Sequence, residues 1–77
     1  MRYIIEHRIG GTLQGFDDVQ DEHHGFDRLD EIEAKYMRQA EVFRAIKVKR
    51  TPKCVTVSEP RFGGGARTIT TYRLRKA

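Results

Sequence analysis

Arg61 and Arg67 flank Phe62 and three consecutive glycines in the stretch PRFGGGAR, residues 60–67. Two guanidinium groups beside an aromatic ring can straddle a nucleic-acid backbone while the ring stacks on a base or wedges into a groove. The same residue types are the strongest anchors of protein interfaces. A solvated hairpin tip whose Phe62 tucks back on the core would have this composition too. A phosphate-binding P-loop is excluded. Its glycines are followed by Lys and Ser or Thr and open a helix, whereas Ala66, Arg67 and Thr68 follow here and lead into strand-forming residues.

A second set of cations follows the chain's midpoint. Lys47, Lys49, Arg50 and Lys53 lie close in sequence, and Arg67, Arg73, Arg75 and Lys76 come later. On a strand from Arg67 to Arg75, alternation puts Arg67, Arg73 and Arg75 on one face with Ile69 and Thr71. Thr70, Tyr72 and Leu74 then point the other way. If Tyr72 and Leu74 are core, the arginines form an outward row suited to phosphate contacts. Solubility and protection of an edge strand would favour the same row. The aromatic-interleaved signature of an RNA-recognition motif is absent.

The charge is split along the chain. Residues 1–34 hold three arginines against nine acids, a net of −6, and residues 35–77 hold twelve Lys and Arg against Glu41 and Glu59, a net of +10. A basic half suits an anionic partner, and the acidic half would repel a polyanion.

Asp17, Asp18, Asp21, Glu22, His23, His24 and Asp27 invite a metal reading. Their spacing fits neither the EF-hand loop nor H-E-x-x-H, so a solvated acidic loop is expected, with no metal and no cofactor. His7, His23, His24, Tyr72 and the arginines hold the parts of a metal-independent ribonuclease, but nothing pairs a nucleophile with a base. Cys54 opens a strand without a neighbouring His and reads as a buried structural thiol. No catalytic residue is expected.

These groups need a scaffold. Tyr3, Ile5, His7 and Ile9 alternate with Ile4, Glu6 and Arg8, as in a strand. Gly10-Gly11 suits a two-residue hairpin turn. Pairing Ile9 with Thr12 then places Ile5 opposite Phe16, with Tyr3, Ile5, Ile9 and Phe16 on the core side. Residues 17–25 read as a loop, with Asp27 as N-cap and Phe26 as staple. Leu29, Ile32, Tyr36, Ala40 and Phe43 then recur at helical spacing, widened by Met37 and Ile46, giving an amphipathic helix over about 27–46. Residues 46–50 either end that helix or begin a strand. Cys54–Ser58 and Arg67–Arg75, rich in Val, Thr and Ile, read as a second hairpin. The expected fold is α+β in two layers, a hairpin-helix-hairpin order with one helix on an antiparallel sheet of about four strands.

At 77 residues one domain is expected. A single cysteine allows no internal disulfide, which favours a reducing cytoplasm. The N-terminal apolar run, Tyr3 to Ile5, is far too short for a signal peptide, and no membrane is expected to be involved. The expected function is a small non-enzymatic binding protein that docks on a host protein or ribonucleoprotein complex. Size and layout suggest, by analogy, a phage or mobile-element accessory or inhibitor protein. The alternative is a nucleic-acid-binding module whose basic C-terminal hairpin holds a DNA or RNA backbone. Either way the candidate binding residues are Lys49, Arg50, Lys53, Arg61, Phe62, Arg67, Arg73 and Arg75. A basic edge strand also permits a homodimer.

Overall fold

Gly10 and Gly11 take φ values of 58° and 84°. That is the left-handed region which two-residue hairpins need and glycine adopts without strain. The turn joins β1 (Tyr3–Ile9) to β2 (Thr12–Val19) in a computed structural model that describes residues 2–60 and 65–77. Ile9 pairs with Thr12 as the turn dictates, but the register shifts between His7 and Arg8. Arg8 lies opposite Leu13 and His7 opposite Gly15, so Gln14 is the extra residue of a bulge. One inserted residue exchanges the two faces of a strand. Phe16 therefore pairs with Glu6 rather than Ile5, leaves the core side and stands 58% exposed.

The helix α1 (Glu22–Val42) starts and stops earlier than the periodicity implies. Asp21, not Asp27, is its cap: the Asp21 carboxylate accepts from the His24 backbone N–H at 2.8 Å. The stretch expected as a loop therefore supplies the first helical turn. Gly25 is tolerated there because the helix must approach the sheet closely. A Cβ at Gly25 would lie 2.5 Å from Cδ1 of Leu74, and Leu74 is itself buried. Gly25→Val should lower the unfolding free energy by about 1–3 kcal/mol, the usual cost of overpacking a core. Urea denaturation measures it, and an unchanged midpoint would refute the close approach.

Phe43 caps the C-terminus, donating its N–H to the Gln39 carbonyl at 2.8 Å. Residues 47–51 form β3 (Lys47–Thr51), whose exposure alternates residue by residue. A turn at Pro52-Lys53 leads to β4 (Cys54–Glu59), and β5 (Thr68–Lys76) completes the fold. The sheet has five strands in the order β2-β1-β5-β4-β3, with every neighbouring pair antiparallel. The architecture is α+β, one helix on an antiparallel sheet, with β3 added to the expected strands.

Ile5, Leu29, Val55, Val57 and Leu74 form the buried core, with Phe26, Ile32 and Tyr36 of α1 packed against it. Two residues expected on the apolar stripe lie outside it: Met37 is 51% and Phe43 65% exposed. Phe43 falls beyond the last helical turn, and Met37 sits one helical step off the line through Leu29, Ile32 and Tyr36. No helix among the described residues is long and apolar enough to cross a membrane.

Candidate functional site

Only one face of the sheet receives the helix. No described element covers the other, and the pairing register assigns its residues. One cross-strand row reads Lys49, Thr56, Thr71, Arg8, Leu13, and the next reads Thr51, Cys54, Arg73, Glu6, Phe16. Arg75, Ile4 and Asp18 form a third row, and Lys47, Ser58 and Ile69 a fourth. Exposed cations thus alternate with hydroxyls in the middle of the face, while Leu13 and Phe16 stand exposed along its β2 edge.

Glu6 organises the centre. Its side chain is 9% exposed, and its two carboxylate oxygens accept from Arg75 at 2.8 Å and Arg8 at 3.0 Å. Two arginines on adjacent strands would repel without that carboxylate between them. A shallow depression of about 570 Å³ lies here, lined by Glu6, Arg8, Gly11, Thr71, Arg73 and Arg75. Among the described residues Arg73 has no ion-pair partner, which leaves its guanidinium available to an incoming anion. The hydrogen bond from Arg75, reinforced by Arg8 and opposed by burial, holds the Glu6 carboxyl below its ordinary value of 4.5. A depressed carboxyl contributes stability above its unfolded pKa and loses it as pH falls through the folded one. The protein should therefore weaken as pH drops below about 4.5. Glu6→Gln should flatten that part of the slope in urea titrations run across the acid range, and parallel slopes for the two proteins would overturn this role.

The candidate binding residues separate into groups. Lys49, Arg73 and Arg75 stand on the open face. Arg50 does not. It occupies the alternate position of β3, on the helix side, and its Nη1 reaches Asp30 at 2.7 Å and Glu33 at 3.4 Å. Lys53 lies in the β3–β4 turn, 3.7 Å from Glu22 of the helix. Arg67 precedes β5 and folds across the sheet end, where it donates to Ser58 Oγ at 2.6 Å, to the Ser58 carbonyl at 2.9 Å and to the Ala45 carbonyl. Its guanidinium ties β4 to the α1–β3 connection rather than projecting with Arg73 and Arg75. Arg67→Ala should accordingly lower stability by about 1 kcal/mol, the net worth of such bonds, and leave any ligand contact made by Arg73 and Arg75 intact. A thermal melt beside a binding assay separates the two. Arg61 and Phe62, with Gly63 and Gly64, lie outside the described residues.

Glu6, Arg8 and Phe16 belong to the face without being expected there, while Lys47 is one of the expected cations. The β1 alternation does set Glu6 and Arg8 apart from the core, but only the β1–β5 pairing brings them beside Arg73 and Arg75. Cys54 is also on this face, half-buried, with its Sγ 3.8 Å from Thr56 Oγ1. It is not the core thiol expected, because Val55 and Val57 hold the inward positions of β4. Asp21 and Asp27 engage the histidines, His24 Nδ1 at 2.8 Å and His23 Nε2 at 3.6 Å. Among the described residues no cluster of three or more His, Cys, Asp or Glu is placed to hold a metal ion.

The fold converts the split in sequence charge into a split between layers. Asp27, Asp30, Glu31 and Glu33 belong to α1, while Arg8, Lys47, Lys49, Arg73 and Arg75 share the opposite surface. Comparison with protein-family models, curated protein sequences and solved structures returns no match.

Proposed function

We propose that this chain is a non-enzymatic binding protein that docks, through the open face of its sheet, on an anionic surface of a larger macromolecular complex. The single observation behind this reading is the composition of that face. Arg73, Arg75, Arg8 and Lys49 share it with exposed Phe16, Leu13 and Ile69. Arginine beside aromatic and aliphatic groups is the make-up of protein interfaces, where apolar anchors supply affinity and charge supplies orientation and on-rate. Glu6 and Asp18 on the same face would resist a phosphate backbone but suit a partner with mixed charge. An accessory or inhibitory role in a host complex fits a single small domain with one such face.

A second reading has its own support. The row Lys49, Thr56, Thr71, Arg8 places cations and hydroxyls across four strands, as a single-stranded nucleic acid would need, and Phe16 closes the neighbouring row as a stacking platform. The two readings part in one experiment. Tagged protein is used to capture partners from an extract of the encoding organism, with and without nuclease, beside a bait in which Arg73 and Lys49 are replaced by glutamate. Proteins retained after nuclease and lost with the altered bait support docking. Loss on nuclease treatment, with salt-sensitive binding of labelled DNA or RNA, supports the second reading. Identical capture by both baits would overturn the assignment to this face.

A further inference from the structure

We infer that the cleft between α1 and the β1–β2 hairpin, on the helix side of the sheet, is a binding slot for a nucleobase. It opens on the surface opposite the docking face and shares only Phe16 with it.

The slot comes from one cross-strand row, Tyr72, His7, Gly15. His7 stacks on Tyr72 with ring centroids 4.6 Å apart and planes 9° from parallel. That contact uses the imidazole face toward β5. The other face looks toward β2, where Gly15 offers no side chain. A Cβ at Gly15 would have nothing within 4 Å. A depression of about 220 Å³ occupies this space, lined by Ile5, His7, Gly15, Phe16, Asp17 and Tyr72. The backbone does not require glycine there, since the left-handed glycines of the described chain are Gly10, Gly11 and Gly65. A strand glycine marks a bulge, as beside Gln14 here, or a place where something approaches closely, and the open space over Gly15 permits the second as well as the first.

The polar groups around the slot match a base. Asp17 lines both this depression and a second one of about 340 Å³ that continues along α1 past Arg28, Lys35 and Tyr36. The Asp17 side chain is 68% exposed, and Arg28 stands 3.9 Å away, so lone pairs remain for N–H donors. The Tyr36 and Tyr72 hydroxyls are 2.9 Å apart. One donates to the other, which leaves one O–H to give to a ligand acceptor. Burial, together with the Tyr36 bond, holds the Tyr72 phenol far above its ordinary value of 10.0, so it stays protonated. A flat ring stacked on the open face of His7, with its N–H groups on Asp17, fills this arrangement. Guanine fits best among the common bases, because it presents two adjacent N–H donors to a carboxylate beside an edge of acceptors. Arg28 and Lys35 line the adjoining depression together with Glu31, which accepts from Arg28 at 3.3 Å.

The test is an NMR titration of the ¹⁵N-labelled protein with the four ribonucleoside monophosphates. GMP should shift the amides of Gly15 and Asp17 and the ring signals of His7 at low-millimolar concentration, with AMP, CMP and UMP weaker. Gly15→Val should abolish those shifts while leaving the rest of the spectrum folded, since the added side chain meets open space. Asp17→Asn should weaken GMP about tenfold and erase the preference for it. Nucleotide shifts that survive Gly15→Val would overturn the inference. So would silence at His7, Gly15 and Asp17 with every nucleotide, and so would shifts from N-acetyl-tyrosinamide with none from nucleotides, which would make the slot a pocket for a partner's aromatic side chain.

Discussion

Leu29→Ala lowers the unfolding free energy by about 2–5 kcal/mol, as deletion of a fully buried leucine does when its site cannot collapse. Leu29 is 0% exposed and is the one α1 side chain inside the core formed with Ile5, Val55, Val57 and Leu74. Its neighbours are β-branched or come from strands held on both sides, so they cannot move in to fill the gap. Domains of this size are stable by only about 5–15 kcal/mol, which makes this a large fraction of the total. The melting temperature should fall by roughly 10 °C or more, at about 4–8 °C per kcal/mol for small domains. Circular dichroism on heating measures it. A melting temperature within a degree or two of the wild type would mean that α1 does not pack as described.

Replacing Arg73 and Lys49 together by glutamate should abolish the docking proposed for the open face. Both are exposed, both lie on the uncovered face, and they stand two strands apart, roughly 10 Å at the usual strand spacing. A partner group within reach of one therefore senses the other. Each lost contact to a charged group is worth about 1.5–3 kcal/mol, and reversal adds repulsion on top of the loss. The pair should weaken the captured complex by at least ~100-fold, at 1.4 kcal/mol per tenfold. Stability should barely change, because neither residue has a described ion-pair partner to orphan. Arg75 is the poorer choice for this experiment, since its removal also frees Glu6, 2.8 Å away. Affinity of the captured partner for the two proteins, with melting temperature alongside, is the measurement. Unchanged affinity with intact folding would remove the open face from the mechanism.

Arg67 follows the glycine stretch, and strand alternation groups it with Arg73 and Arg75. Its three hydrogen bonds to Ser58 and Ala45 instead make it a brace at the end of the sheet. Alanine substitution there reports on folding, so a binding loss at Arg67 alone would not identify a contact.

Local pattern was enough for much of the architecture. The Gly10-Gly11 turn, the β1 alternation, the helical spacing of Leu29, Ile32 and Tyr36, and the inward Tyr72 and Leu74 of β5 all follow from periodicity and turn chemistry, which neighbouring residues determine. The placement of Arg73 and Arg75 outside the core followed from the same alternation. Tertiary structure decided the rest. The Gln14 bulge moved Phe16 from the core to the open face, because a register change depends on how two strands meet and not on either strand's pattern. The pairing of β1 with β5 joined Glu6 and Arg8 to cations more than sixty residues away. Gly25 became helical because Leu74 leaves no room for a side chain there, a constraint that local spacing does not contain. Lys47–Thr51 became a strand because β4 offered an edge to pair with. The alternating sequence Ile46-Lys47-Val48-Lys49 is compatible with a helix end or a strand, and only a partner's free hydrogen-bonding groups choose between them.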